Sequence, residues 1–127
     1  MNQTTALYLY KQYGRRGLKE ISFEDFLKLT SSNCFYCGAP PSNIRLGRGK
    51  GIPPYVYNGL DKVVPSRGYI LSNVVPCCWP CNHMKSDFPQ GKFLSHVRKI
   101  VYHLDNDKKS KDSKPHSKSR DEGPVKD

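Results

Sequence analysis

The chain has 127 residues, with 21 Lys and Arg against 11 Asp and Glu, a formal charge of +10, and 36% apolar residues. That length suits a single domain. No stretch approaches the ~18 apolar residues of a membrane span, which excludes an integral membrane protein.

In chain order, Asn2 to Tyr13 is expected as a helix, with Leu7, Tyr8 and Tyr10 as packing candidates, broken by Gly14-Arg15-Arg16-Gly17. Ser22 before Phe23-Glu24-Asp25-Phe26 reads as an N-cap with an acidic first turn. Phe23, Phe26 and Leu27 then follow helical spacing to about Leu29. Cys34-Phe35-Tyr36-Cys37-Gly38 is a knuckle-like turn, and residues 39–54, rich in Pro and Gly, read as a long loop. Tyr55 to Val64 and Gly68 to Val75 are the strand candidates, joined by the turn Pro65-Ser66-Arg67-Gly68 into an antiparallel hairpin, with Pro76 ending the second strand. Pro80 to about Ser86 suits a short helix. Phe93, Val97, Ile100 and Leu104 form one helical stripe ending near Asp105.

The charge is not confined to the tail. Residues 106–127 hold seven basic and five acidic side chains, no aromatic residue and one aliphatic, Val125. They cannot bury enough apolar surface to offset their ordering entropy and are expected to be disordered. The remaining 1–105 carries +8 by itself, which points to a polyanionic partner. Met1 to Lys11 lacks a basic segment followed by a long apolar run, so no secretory leader is expected.

Five cysteines is an odd count. Cys34-x-x-Cys37 and Cys78-x-x-Cys81, 40 residues apart, can complete a tetrahedral four-sulfur zinc site. Paired thiols of this kind suit metal ligation in a reducing, cytoplasmic setting better than a disulfide framework. Four thiolates around one zinc add about −2, so the folded part stays near +6. Cys77 competes with Cys78. Adjacent cysteines point apart on an extended chain, so Cys78 is read as the ligand and Cys77 as a packed thiol. Four thiolates leave no open position, so this zinc is structural, and its binding adds folding free energy to a small core.

The strings Asn58-Gly59-Leu60-Asp61-Lys62, Gly68-Tyr69, Ser72-Asn73-Val74-Val75-Pro76-Cys77-Cys78 and Cys81-Asn82-His83-Met84-Lys85 resemble the HNH endonuclease family. The likeness is closest to small phage-type members with two zinc-binding cysteine pairs, and it covers about residues 34–100. It implies an α+β fold: a zinc-stapled ββα-metal core with flanking helices, those of residues 2–30 on the N-terminal side. The nuclease domain would span 1–105, followed by the charged tail 106–127. In that family two strands and a helix grip one magnesium or manganese ion at the scissile phosphate. By position, the resemblance implies Asp61 as first metal ligand, Asn73 as the residue that orients the active-site loop, and Asn82 as second ligand. Asp61 and Asn82 offer a carboxylate and an amide oxygen, the donors a hard divalent cation takes.

The sequence departs from the family at one position. Lys62 stands where the family has its general-base His. A lysine titrates near 10.4, too high for a base at neutral pH. Three readings stay open: Lys62 binds phosphate while water attacks without a protein base; another group serves, His83 being nearest in sequence; or the protein binds nucleic acid without cutting. His96 and His103 fall outside the apolar stripe and read as solvated, and His116 lies in the tail.

Arg45, Arg48 and Lys50 in the Gly-rich loop, Arg15 and Arg16, Arg67 at the hairpin turn and Lys85 are the candidate phosphate contacts. No second reading domain is visible, so low sequence specificity, or a protein partner that supplies specificity, is expected. The reading is therefore a metal-dependent endonuclease acting on DNA, virus-encoded by its phage-like resemblance. RNA remains the other polyanion that fits. The alternative is a non-catalytic zinc module that binds nucleic acid, with a decayed site.

Overall fold

The computed structural model describes residues 2–112, and side chains as far as 107. Of the tail 106–127 expected to be disordered, residues 106–112 are instead helical, and 113–127, with His116, lie outside the described residues. The chain divides into two compact units, Met1–Gln90 and Gly91–Asp127.

In the first unit, α1 (Thr4–Arg15) buries Thr5, Ala6, Leu9 and Tyr13, which repeat at helical spacing. Of the expected packing residues, Tyr10 lies against Phe23 and Phe26, whereas Leu7 is exposed. Helix α2 (Phe23–Thr30) starts at Ser22, whose hydroxyl accepts the Asp25 N–H at 3.0 Å, as the cap signal requires. The two helices share an aromatic core. Phe26 lies edge-on to Tyr10 and Tyr13, with centroids 5.2 and 5.5 Å away, and Leu9, Leu18, Ile21, Leu60 and Val74 complete the cluster. Edge-on rings add specific attraction to the area they bury.

The segment read as a long loop contains a strand, β1 (Asn43–Arg45), antiparallel to β2 (Tyr55–Tyr57). Burial along β1 alternates, but with Ile44 exposed between half-buried Asn43 and Arg45, so three residues leave no apolar periodicity to read. The second sheet pairs β3 (Gly59–Lys62) with β4 (Val74–Cys77), antiparallel, with Asp61 opposite Val75 and Lys62 opposite Val74. The expected hairpin is thus shorter than drawn. Residues 68–73 are not strand: Pro65–Arg67 and Leu71–Asn73 are 3-10 turns. Gly68 takes φ +77, outside the extended region, and Asn73 claims backbone groups that a ladder would use. Pro76 lies inside β4 instead of ending it. Both strands of a two-stranded sheet are edges, where a residue without an N–H is tolerated, and the Pro76 carbonyl accepts Phe35 N–H at 2.8 Å. Helix α3 (Trp79–Lys85) follows at once.

The second unit is α4 (Gln90–Asp112), which runs seven residues past the expected end at Asp105. Ile100 and Leu104 of the expected apolar stripe are exposed, as are His96 and His103. The described chain is therefore α+β: four α-helices and two small antiparallel sheets.

Candidate functional site

The first cysteine pair sits in a closed turn. Cys34 N–H donates to the Ala39 carbonyl at 2.8 Å, Gly38 N–H to the Cys34 carbonyl at 2.9 Å, and Gly38 takes φ +78, which only glycine adopts freely. The second pair opens α3: Cys78 caps it and Cys81 lies in its first turn. Docking of Phe35 on Pro76 brings the pairs together. The Sγ atoms of Cys34, Cys37, Cys78 and Cys81 lie within 4.8 Å of one another, and Cys37 and Cys78 are 3.6 Å apart. Zinc–sulfur bonds of ~2.3 Å in a tetrahedron require sulfurs about 3.8 Å apart, so the group fits one zinc ion. Cys77 stands outside it, its thiol turned to the Cys78 carbonyl at 3.5 Å. The choice of Cys78 over Cys77 agrees with this geometry.

The thiols differ in acidity. Burial raises Cys34, but the backbone N–H groups of Cys37, Cys78 and Tyr36 outweigh it and bring the thiol down to about 6. Burial pushes Cys77 up, and the nearby Asp61 and Cys34 charges push it further, which keeps it protonated. Burial raises Cys78 and Cys81 as well, so it is geometry, not acidity, that separates Cys77 from the other four.

Asp61 lies on β3, four per cent exposed, with both carboxylate oxygens engaged. Lys85 Nζ is 3.1 Å from Oδ1, and Tyr36 O–H donates to Oδ2 at 2.8 Å. Lys85 is fully buried and also donates to the Lys62 carbonyl at 2.9 Å. It therefore cannot reach a phosphate backbone from here, contrary to the sequence expectation. Burial, and then Asp61 itself, hold the Tyr36 phenol well above the usual tyrosine range, so it stays a donor. The sequence reading missed this pair. Lys85 had a signal: it follows Cys81 by four residues, so both lie on the inward side of α3. Tyr36 had none, because its meeting with Asp61 depends on how the cysteine turn docks.

Asn73, three per cent exposed, closes the connection between β3 and β4. Its Oδ1 accepts Val64 N–H at 3.0 Å, and its Nδ2 donates to the carbonyls of Val64 and Gly68 at 3.0 and 2.8 Å. It is a loop-fixing residue. Asn82 is exposed on α3. Asp61, Lys62 and Asn82 line one shallow cleft of about 160 Å³ with Leu60, Pro65, Tyr69, Ser86 and Asp87. Asp87 is a further oxygen donor there that the sequence reading did not single out. The Lys62 ammonium lies over the Tyr69 ring, 4.8 Å from its centroid, a cation–π contact. His83 does not line this cleft. It is exposed, its ring 3.7 Å from that of Trp79, and its Nδ1 lies 3.3 Å from the Trp79 carbonyl.

The donor chemistry of the cleft, a carboxylate and an amide carbonyl with Asp87 nearby, fits a hard divalent ion. Each Asp61 oxygen keeps a lone pair beyond the one its partner takes. The basic candidates lie elsewhere. Arg45 and Arg48 gather over Tyr8 of α1, guanidinium carbons 5.2 and 4.7 Å from its ring centroid, and Arg48 also donates to the Tyr8 hydroxyl. Lys50 and Arg67 are exposed, as are Arg15 and Arg16, the latter 5.0 Å from the Tyr13 centroid.

No family model matches the chain, and no solved structure matches it. Among curated proteins it is similar to the uncharacterised protein R423 of Acanthamoeba polyphaga mimivirus, 28% identical over 109 residues. The match covers 81% of this chain but 18% of that protein's length. Among the described residues no helix is long and apolar enough to cross a membrane.

Proposed function

We propose that the protein is an HNH-type endonuclease, a metal-dependent hydrolase of phosphodiester bonds in DNA with low sequence specificity. One observation carries the reading: Asp61 and Asn82, 21 residues apart, line a single cleft formed by β3, the segment that follows it and the α3 region, beside a four-cysteine cluster suited to structural zinc. The order of β3, β4 and α3 supports that reading.

Asp61 and Asn82 would hold the magnesium or manganese ion. When bound, such an ion polarises the phosphate and stabilises the leaving oxygen. Asn73 fixes the loop that walls the cleft. Lys62 lines the cleft with its Nζ 4.8 Å from the Tyr69 ring centroid, and the reading assigns it to a phosphate oxygen rather than to the base. His83 is set aside as the base because it lies off the cleft. The formal charge of +10 favours a nucleic-acid substrate whose affinity falls with salt. Similarity to a mimivirus protein supports a virus-encoded origin.

The test is plasmid cleavage by the zinc-loaded protein with Mn²⁺, wild type against Asn82→Ala. Asn82 is exposed, so its truncation spares the fold. Wild type is expected to nick plasmid, and the variant to be slowed at least roughly tenfold, as for a lost metal contact. Equal rates would remove Asn82 from the site, and no cleavage by wild type would end the nuclease reading.

A second reading is favoured by the buried Lys85 on Asp61, which partly neutralises the carboxylate a divalent ion would need. In that reading the protein is a zinc module that binds nucleic acid without cutting it. Lys62→His separates the two, because a gain of cleavage from an inert parent identifies a decayed site.

A further inference from the structure

We infer that Tyr36 is a positioning residue that aims the Asp61 carboxylate at the cleft. The inference rests on the proposed metal-binding role of Asp61. It assigns a function to a side chain in the spacer of the first cysteine pair, where only the two sulfurs have an evident purpose.

Asp61 stands on a four-residue strand, and its carboxylate would otherwise be free to turn about χ2. Two groups from outside that strand prevent this. Tyr36 O–H holds Oδ2 at 2.8 Å and Lys85 Nζ holds Oδ1 at 3.1 Å, so the plane of the carboxylate is set from both ends. Each contact uses one lone pair per oxygen, leaving others for a ligand.

Both holders are themselves held. Tyr36 accepts Gln90 Nε2 at 3.3 Å, and Lys85 donates to the Lys62 carbonyl at 2.9 Å. Tyr36 lies between Cys34 and Cys37, and Lys85 lies one turn past Cys81. The sulfur cluster thus ties together the two segments that grip the carboxylate. A phenol suits this task better than a second ammonium would, because it donates a hydrogen bond without adding like charge beside an incoming cation.

The test compares wild type with Tyr36→Phe, which deletes one hydroxyl and keeps the ring and all four thiols. Three quantities are read on zinc-loaded protein: zinc per chain, Mn²⁺ affinity by electron paramagnetic resonance, and kcat and KM for plasmid cleavage. The expected result is one zinc per chain in both, Mn²⁺ affinity and kcat each lowered roughly tenfold or more, and KM for DNA unchanged. A merely structural role would lower the melting temperature and leave Mn²⁺ affinity of the folded protein at the wild-type value. That outcome overturns the inference and leaves the nuclease reading standing. Failure of wild type to bind Mn²⁺ at all overturns both.

Discussion

Two clusters hold the first unit, and they do so by different physics. Under α1 and α2, Phe26, Tyr13, Leu9, Ile21 and Leu60 bury large side chains against one another. Around the cysteine turns the buried set is only Cys34, Cys77, Cys78 and Cys81, with Tyr36 and Ala39 against it. Large rings stabilise by the area they remove from water, whereas four small thiols remove little and need a metal to organise them. The β3–β4 pair bridges the two: Leu60 and Val74 enter the aromatic core, Cys77 enters the thiol cluster, and Asp61 lies on the same ladder. The candidate site therefore borders the four-cysteine cluster, while the aromatic core gives it a fixed base.

The sharpest way to break the symmetry is to remove the metal. Structural zinc in small domains contributes on the order of 10–16 kcal/mol of apparent binding energy. Chelation, or Cys81→Ser, is expected to expose the amides of β4 and α3 to hydrogen exchange far more than those of α1 and α2. Uniform loss of protection would mean that the clusters are one cooperative body. Next in size is Lys85→Met, which strands a buried carboxylate. Breaking a buried pair from one side costs about 3–5 kcal/mol, read as a fall in urea midpoint. A urea midpoint equal to that of wild type would show that the pair does not hold this region. The smallest effect is Ser22→Ala at the start of α2, about 1 kcal/mol from the lost cap, expected to lower thermal stability without changing zinc content.

Much of this was legible because its signals are local. Two C-x-x-C spacings named the four sulfurs and Ser22 named a helix start, whereas Asp61, Asn73 and Asn82 were named only by the resemblance to the HNH family. What escaped depended on docking. Nothing near Tyr36 in sequence says that it meets Asp61, 25 residues away. Lys85 looked like a phosphate contact because a lysine on a short helix is usually solvated, yet its spacing from Cys81 turns it inward. The strand expected over Gly68 to Val75 failed because Gly68 and Asn73 fold that segment into turns, a side-chain effect that β-propensity does not register. Residues 43–45 pair with 55–57 across a loop whose Pro and Gly content masks a three-residue strand.

In the proposed nuclease, one cleft beside the sulfur cluster takes a second metal ion, separate from the ion among the sulfurs. A crystal of the zinc-loaded protein soaked in Mn²⁺, with anomalous data collected at the manganese edge, measures this directly. The expected result is a peak in contact with oxygens of Asp61 and Asn82, apart from the ion among the four sulfurs. A fully occupied sulfur site with nothing between Asp61 and Asn82 would contradict it and leave a zinc-stapled binding module.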